Sequence, residues 1–244
     1  MAQTLEPLIV QLPSGRASTP GTPWLIMIHA PGENRTGNNY WQAQTARRLA
    51  SAGITVARFD LAGYGESLAD KDVSVWDRQI AEAVSTARSY DASAVHVTAR
   101  GLHAALLPDS APGLRVAVFP PEPRDLDWWR QNAGRSGTWE ARSDAPADEV
   151  AFWAACGVET NLLGGLTAPI GVLDELVRRM CSSEVAPGWD LTLCTEEGRT
   201  ADPSRMIAGR HGLARLEADR HGLQAVLHNA LMMWPRQPGP EGAE

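Results

Sequence analysis

Cysteine is scarce in this sequence, and the residue patterns by which proteins hold metal ions are missing. Three cysteines occur among 244 residues, at positions 156, 181 and 194, and no two of them form a CxxC pair. This spacing argues against a disulfide framework and against a structural zinc site. The histidines show no HExxH pairing. We therefore expect buried thiols, no bound metal and no cofactor.

Basic runs and long apolar runs are missing as well. The formal net charge is −7, and there is no cluster of lysine and arginine of the kind that binds nucleic acids. No apolar stretch approaches the roughly 18 to 20 residues that span a bilayer, and the first residues lack the basic and apolar regions of a secretory signal. We therefore expect a cytoplasmic protein that handles a small-molecule substrate or ligand. The oligomeric state does not follow from the sequence.

Tryptophan, in contrast, is abundant for so few other aromatic residues. Nine tryptophans stand against three phenylalanines and three tyrosines, and four of them fall at positions 128, 129, 139 and 153. The hydrophobic pattern of that segment does not alternate cleanly. Its tryptophans are as typical of the lining of a cap or lid as of a packed core.

Predicted strands alternate with predicted helices along most of the chain. This order predicts an α/β fold with a mostly parallel central sheet and helices on both faces. The predicted strands are 8–12, 24–28, 54–61, 94–97, 114–119, 157–163, 191–195 and 213–218, and the predicted helices are 40–51, 75–90, 101–107, 170–181 and 222–234. We expect one domain over 1–235, with a cap-like insertion at about 120–157 and a disordered tail at 236–244.

The stretch AVHVTARGLHAALL, residues 94–107, has the pattern of a strand, a turn and a helix. Its turn, residues 98–102, is similar to the GxSxG elbow of hydrolases, with Arg100 in the place of the serine. A guanidinium cannot attack a carbonyl, but the amide of Gly101 could still donate to an oxyanion. Arg100 could bind a carboxylate, phosphate or sulfate, or it could form an ion pair with a nearby acid. Thr98 is a weak candidate nucleophile, since it lies two residues too early.

The sequence HAPG follows the predicted strand at 24–28, where hydrolases of this kind carry an oxyanion loop. His29 opens this loop. Because Pro31 has no N–H, the amide of Gly32 or Glu33 would have to face an oxyanion. The alternative is a simple connection between a strand and a helix.

The segment FDLAGYGES, residues 59–67, resembles a DxxGxGxS turn. Gly63 and Gly65 give the chain access to positive φ there. This turn is a landmark of the fold and does not indicate a particular reaction.

A candidate general base comes near the end of the chain. His221 is predicted to lie in the loop between the last strand and the final helix, where hydrolases keep this histidine. Asp202 is the best candidate for the acid that orients it, with Glu196 and Glu197 as substitutes. His211 is a weaker competitor for the base. The alternative is that His221 is a surface residue.

The remaining histidines indicate packing. His96 lies in a predicted strand, and His103 and His228 lie in predicted helices. His103 is close enough to the elbow to touch a ligand, but we expect it to pack in the core.

Three segments together, HAPGENRTGNNYWQAQTARRLASAGITVARFDLAGYGES, VWDRQIAEAV and VTARGLHAALL, resemble the exosortase A system-associated hydrolase 2 group of the α/β-hydrolases. That group has an HPFxEE-like loop, a DLPGxGDS-like turn and a WGLRLGALLA-like elbow with arginine in place of serine. The segment GVETNLLGGLTAPIGVLDEL is also similar. The resemblance implies the α/β-hydrolase fold and makes Arg100 a trait of the group. It implies a cytoplasmic bacterial protein encoded near exopolysaccharide and protein-sorting systems, and no particular substrate.

Three functions follow as hypotheses. The first is a hydrolase of an ester, acyl or anionic small molecule, in which His221 and Asp202 activate water while Arg100 and the Gly101 amide stabilise negative charge. The second is an inactive pseudo-hydrolase that serves as a binding or scaffold module. The third is a lyase or cyclase of a biosynthetic pathway.

Overall fold

The computed structural model describes most of the chain. The described residues are 9–12, 20–109, 111–132, 137–140, 142, 144–158, 166–182, 189–195, 205–209 and 217–234.

Strands and helices alternate over these residues. The strands are β1 (Ile9–Gln11), β2 (Trp24–Ile28), β3 (Thr55–Arg58), β4 (Val95–Arg100), β5 (Arg115–Val118), β6 (Thr138–Glu140), β7 (Thr167–Pro169), β8 (Leu191–Thr195) and β9 (Arg205–Gly209). The α-helices are α1 (Trp41–Ser51), α2 (Val73–Ser89), α3 (Asp127–Asn132), α4 (Ala147–Ala155), α5 (Ile170–Cys181) and α6 (Glu217–Met233). Short 3₁₀ helices occupy Asn38–Tyr40, Gly101–Leu106 and Pro123–Leu126.

Seven of the described strands form one sheet, in the order β1-β3-β2-β4-β5-β8-β9. Among the described strands of this sheet, only β1 pairs antiparallel, with β3. The other six, in the order β3-β2-β4-β5-β8-β9, pair in parallel, so their carboxyl ends meet at one edge of the sheet. β6 and β7 form a separate antiparallel pair. Helices that follow parallel strands begin at this carboxyl edge, which is where ligands bind in folds of this type.

The two faces of the sheet are buried under different helices. Along β2, Trp24, Ile26 and Ile28 pack in a cluster with residues of α2, α4 and α5. Leu25 and Met27 pack in a second cluster with residues of α1 and α6. This alternation is the period of two that a strand imposes on its side chains. It confirms the predicted fold class, with helices on both faces.

Several predicted elements have the predicted bounds, including the strands at 24–28 and 191–195 and the helix at 170–181. The predicted last strand at 213–218 is wrong at its end, because Glu217 and Ala218 already belong to α6; residues 213–216 lie outside the described residues. The structure instead has a strand at Arg205–Gly209.

The predicted strand at 157–163 does not start where it was expected. Gly157 has φ +91°, and its amide donates to Ala154 while the Val158 amide donates to Trp153. These bonds close the end of α4 instead of starting a strand. Residues 159–163, and the predicted tail at 236–244, lie outside the described residues.

The tryptophans of the insertion form a packed core. Trp129 and Trp153 are each 1% exposed, and the rings of Trp129 and Phe152 stack with centroids 5.7 Å apart. Both Trp139 and Trp153 donate their indole N–H to Glu149, at 3.1 and 3.4 Å. Because buried indoles need such acceptors, these contacts favour the core over the lining of an open lid.

Candidate functional site

The turn after β4 lies one residue later than the sequence predicted. Arg100 is the last residue of the strand and has an extended backbone, with φ −110° and ψ 144°. Gly101 follows with φ +60°, the left-handed conformation expected at the tip of a strained strand-to-helix turn. The position that a nucleophile would take is therefore Gly101, which has no side chain.

Alternation along β4 fixes the direction of the neighbouring side chains. Thr98 pairs with Val116 and Arg100 with Val118, and both valines lie in the cluster under α1 and α6. Thr98 and Arg100 therefore point to that face of the sheet. Since Thr98 is 1% exposed, its hydroxyl lies in the core, away from the tip of the turn.

Arg100 forms a buried ion pair with Glu33. Its Nη1 donates to Glu33 Oε1 and, at 3.2 Å, to the carbonyl of Gly157. Its guanidinium carbon lies 5.9 Å from the centre of the Trp41 ring. Arg100 and Glu33 are each 5% exposed. Of the two interpretations of Arg100, the structure therefore shows the ion pair with a nearby acid.

The Glu33 carboxylate is also the centre of the loop after β2. It accepts the amide of Ala30 at 3.0 Å and that of Asn38 at 3.3 Å. The indole N–H of Trp41 lies 3.3 Å from each of its oxygens. A carboxylate with this many donors is well stabilised in its charged form, as a buried charge must be. Glu33 thus holds the loop and α1 against Arg100.

The end of α4 covers the tip of the turn. The amide of Leu102 donates to the carbonyl of Cys156 at 2.9 Å. A Cβ placed on Gly101 would overlap the same carbonyl oxygen, and it would lie 3.1 Å from the Gly157 Cα. Gly157 in turn lies against Ala30. Only glycine fits at position 101, because both its φ and its contact with backbone atoms exclude a side chain.

Of the amides proposed for an oxyanion site, that of Glu33 is engaged in the loop itself. The Glu33 amide donates to the Ala30 carbonyl at 3.1 Å, while the Ala30 amide donates to the Glu33 side chain. Gly32 has φ +79°, so it forms the bend of this turn. In an active hydrolase the residue after the nucleophile supplies the other donor, and here that residue is Leu102.

His29 is fully buried beneath this loop. Its Nε2 accepts the amide of Leu61 at 3.2 Å, so its Nδ1 carries the proton and donates to the Ala30 carbonyl at 2.9 Å. Burial lowers the pKa of His29, so the ring is neutral. Both ring nitrogens are occupied, and His29 is a structural residue of the loop.

His103 packs in the core, as the sequence predicted. Its Nδ1 donates to the His29 carbonyl at 2.7 Å, and its Nε2 lies 3.5 Å from the Tyr64 hydroxyl. The ring also contacts Trp76, with centroids 5.2 Å apart. Burial lowers the pKa of His103 well below its usual value.

The DxxGxGxS turn is a structural feature built around Asp60. The Asp60 carboxylate accepts the Arg35 amide at 2.6 Å, the Arg35 guanidinium at 2.5 Å and the Glu66 amide at 3.3 Å. A Cβ on Gly65 would overlap that carboxylate, which explains why glycine is required there. This supports its interpretation as a landmark of the fold.

His221 lies in the first turns of α6 instead of the loop that precedes it. Because α6 follows the parallel strand β9, its first turns are at the carboxyl edge. His221 is exposed there, while Leu223 and Leu227 bury the helix against α1. Asp202, Glu196, Glu197 and His211 lie outside the described residues. The structure therefore brings together His29, Gly32, Glu33, Arg100 and Gly101, and it places His221 on the surface.

Lowering the pH is expected to destabilise the protein through His96. The buried Nδ1 of His96 accepts the Leu114 amide at 3.0 Å, and burial lowers its pKa to about 4. The unfolded chain takes up this proton near pH 6.5, so the stabilisation is complete above that pH and is lost as the pH falls towards 4. We expect a loss of about 2 kcal/mol from this residue by pH 5.

The measurement is urea unfolding of the wild type and His96→Asn at pH 7.5 and pH 5. The asparagine carbonyl can accept the Leu114 amide but does not titrate, so its pH dependence should be weaker. His221→Gln, which removes an exposed histidine, serves as the control. An identical pH dependence in His96→Asn and the wild type would contradict this assignment.

The described residues show neither a metal-binding cluster nor a membrane-spanning helix. Over the described ranges, no three His, Cys, Asp or Glu side chains are grouped so that they could hold a metal ion. In the same part of the chain, none of the helices has the length and apolar character needed to cross a bilayer.

Comparison with solved structures identifies the architecture. Alpha/beta hydrolase domain-containing protein 10 from mouse is similar over 92% of this chain and 94% of its own, with 16% identity and a TM-score of 0.56. The fold is that of the α/β-hydrolases. The α/β-hydrolase GrgF from Penicillium sp. sh18 is similar over 93% of this chain and 99% of its own, with 10% identity and a TM-score of 0.54.

An α/β serine hydrolase homologue from Coxiella burnetii matches a shorter stretch. The match covers 47% of this chain and 57% of that protein, with 17% identity and a TM-score of 0.37. No protein-family model and no curated protein matches the sequence. Because one fold hosts many reactions, the function of this α/β-hydrolase-fold protein has to be argued from its own site.

Sequence reasoning missed the contact that closes the turn. Nothing in the spacing of Cys156 and Leu102 indicates that the end of α4 lies on the elbow. The one signal in the sequence was Gly101, because a glycine at the end of a strand often marks a position where another segment of backbone packs closely. Glu33 was named as a candidate for its amide, whereas its carboxylate makes the decisive contacts.

Proposed function

We propose that this α/β-hydrolase-fold protein is a binding module that performs no acyl transfer at its elbow. The observation that carries the proposal is the closed turn: Gly101 provides no nucleophile, and the Leu102 amide donates to the Cys156 carbonyl at 2.9 Å. In an active enzyme that amide must face the developing oxyanion. Here the Cys156 carbonyl accepts that amide, in the place that the oxyanion would take.

The charge of Arg100 supports the same conclusion. A serine-independent hydrolase in which His221 and Asp202 activate water would use Arg100 to stabilise negative charge. Arg100 would then have to leave Glu33, and separating a buried pair costs about 3–5 kcal/mol. The ground-state arrangement of Arg100 and Glu33 therefore favours a structural role over transition-state stabilisation.

Hydrolysis of p-nitrophenyl acyl esters and acyl thioesters tests the proposal. We expect no turnover above the rate without protein in the wild type, His221→Ala or His228→Ala. His228 is a partly buried histidine on the same helix, and its variant is the matched control. Turnover in the wild type that is lost in His221→Ala but kept in His228→Ala would overturn the proposal and establish the water-activating enzyme.

The biological setting of such a module is proposed from the resemblance in sequence. Similarity to the exosortase A system-associated hydrolase 2 group supports a cytoplasmic role near exopolysaccharide and protein-sorting systems. The genes that flank this one test the setting directly. Neighbouring genes for small-molecule biosynthesis, without an exosortase, would instead favour the lyase or cyclase.

A further inference from the structure

A groove of about 750 Å³ lies between α2 and α5, and the elbow residues Arg100 and Gly101 are not among its lining. Its lining includes Arg115, the first residue of β5, and Trp189, which precedes β8. Both residues mark the amino edge of the sheet, whereas the elbow lies at the carboxyl edge. The volume falls within the roughly 300–1,000 Å³ typical of small-molecule sites. We call this feature the α2/α5 groove.

The groove exists because the helix in the connection between β4 and β5 is short. Parallel strands are usually joined by an α-helix of a dozen or more residues, but here the connection has a 3₁₀ helix of six residues, Gly101–Leu106. At roughly 2 Å per residue it is about half as long as α2, which has 17 residues. The lower parts of α2 and α5 therefore face each other across open space.

Apolar side chains lie at the base of the groove, below a lining that also carries charged residues. Ile80 and Val84 lie one turn apart on α2, Met180 faces them from α5, and Leu106 and Leu107 come from the end of the 3₁₀ helix. Ile80, Leu106 and Met180 are buried. Such a surface suits the hydrocarbon part of a ligand.

Three arginines are among the described lining residues. Two of them form ion pairs with carboxylates of the protein. Arg179 makes two bonds to Asp77, at 2.9 and 2.8 Å. Arg115 pairs with Asp190 at 3.1 Å and donates to the Asp109 carbonyl at 2.5 Å. These two guanidinium groups are therefore held by the protein itself.

Arg88 is the remaining cation of the groove. It lies in the last turn of α2, one turn beyond Val84, and is exposed. Among the described residues it makes no ion pair or side-chain hydrogen bond. A guanidinium in this position can form two parallel hydrogen bonds with a carboxylate.

We propose that the α2/α5 groove binds a medium-chain carboxylate. Its alkyl chain would lie on Ile80, Val84 and Met180, and its carboxylate would pair with Arg88. The ligand matches the apolar side chains at the base of the groove and Arg88, which among the described lining residues is the arginine without an ion pair. This site is separate from the elbow, so its existence does not depend on whether the protein hydrolyses esters.

Calorimetric titration with decanoate tests the charge requirement. The wild type should bind decanoate with a Kd below about 1 mM, and Arg88→Gln should weaken binding about tenfold. Arg78→Gln removes an exposed arginine of α2 that does not line the groove, and its affinity should equal that of the wild type. Decanol, which lacks the charge, should bind more weakly than decanoate and be insensitive to Arg88→Gln.

Tryptophan fluorescence tests the location. An ω-bromodecanoate quenches only tryptophans that it contacts, so it should quench the wild type more than Trp189→Phe. The proposal is overturned if decanoate does not bind, if it binds wild type and Arg88→Gln equally, or if Trp189→Phe is quenched as strongly as the wild type. Because no step measures hydrolysis, failure here leaves the proposal for the elbow unaffected.

Discussion

Glu33→Ala is expected to lower the free energy of unfolding by about 3–5 kcal/mol. The substitution leaves the Arg100 guanidinium buried without its carboxylate, and it removes the acceptor of the Ala30 amide and the Trp41 indole. The cost arises mainly from these groups left unpaired, and less from the net strength of the ion pair. Urea unfolding at pH 7.5 measures it.

A double-mutant cycle separates these contributions. Arg100→Met alone should also destabilise the protein, because the Glu33 charge then lies buried without its partner. Glu33→Ala combined with Arg100→Met should be far less destabilised than the sum of these two single variants. Additive losses would mean that the two side chains do not act as a pair.

A surface acid provides the control for Glu33. Glu66 pairs with Arg35 at 2.8 Å, but its side chain is 77% exposed. Glu66→Ala should therefore cost less than about 1 kcal/mol. An equal loss at Glu33 and Glu66 would contradict the account of a buried, multiply bonded carboxylate.

Gly101→Ala should destabilise the protein by about 2–5 kcal/mol. A non-glycine residue at φ +60° costs about 1–2 kcal/mol. The new methyl group would also overlap the Cys156 carbonyl, and overpacking of this kind costs about 1–3 kcal/mol more. This overlap can be relieved only if the backbone shifts, because the atoms that the methyl group meets are backbone atoms of Cys156 and Gly157.

Gly53→Ala is the matched control for that experiment. Gly53 has φ +90°, and a Cβ there would meet nothing within 4 Å. It should therefore show the conformational cost without the contact, about 1–2 kcal/mol in the same urea assay. Equal losses at Gly101 and Gly53 would show that the end of α4 is not held against the turn.

The sequence alone determined the fold class and most of the sheet. The strand at Trp24–Ile28 and the helix at Ile170–Cys181 were predicted with their observed bounds, because periodicity is a local property of the chain. The positive φ of the glycines in the DxxGxGxS turn was also predictable, because it is a local requirement of the turn. The end of the predicted strand at 213–218 was wrong because residues 217–218 belong to α6, and the short apolar run of β9 was not recognised as a strand.

The tertiary structure decided the nature of the candidate site. Arg100 and Glu33 are 67 residues apart in sequence, and Leu102 meets Cys156 across a similar distance along the chain. Contacts between such distant residues leave no periodic pattern, so the sequence could present Arg100 equally as an anion-binding group or as half of an ion pair. Packing of the end of α4 on Gly101 and the pairing of β2 with β4 brought these partners together. The sequence therefore located the elbow to within one residue, and only the folded chain determined that it is closed.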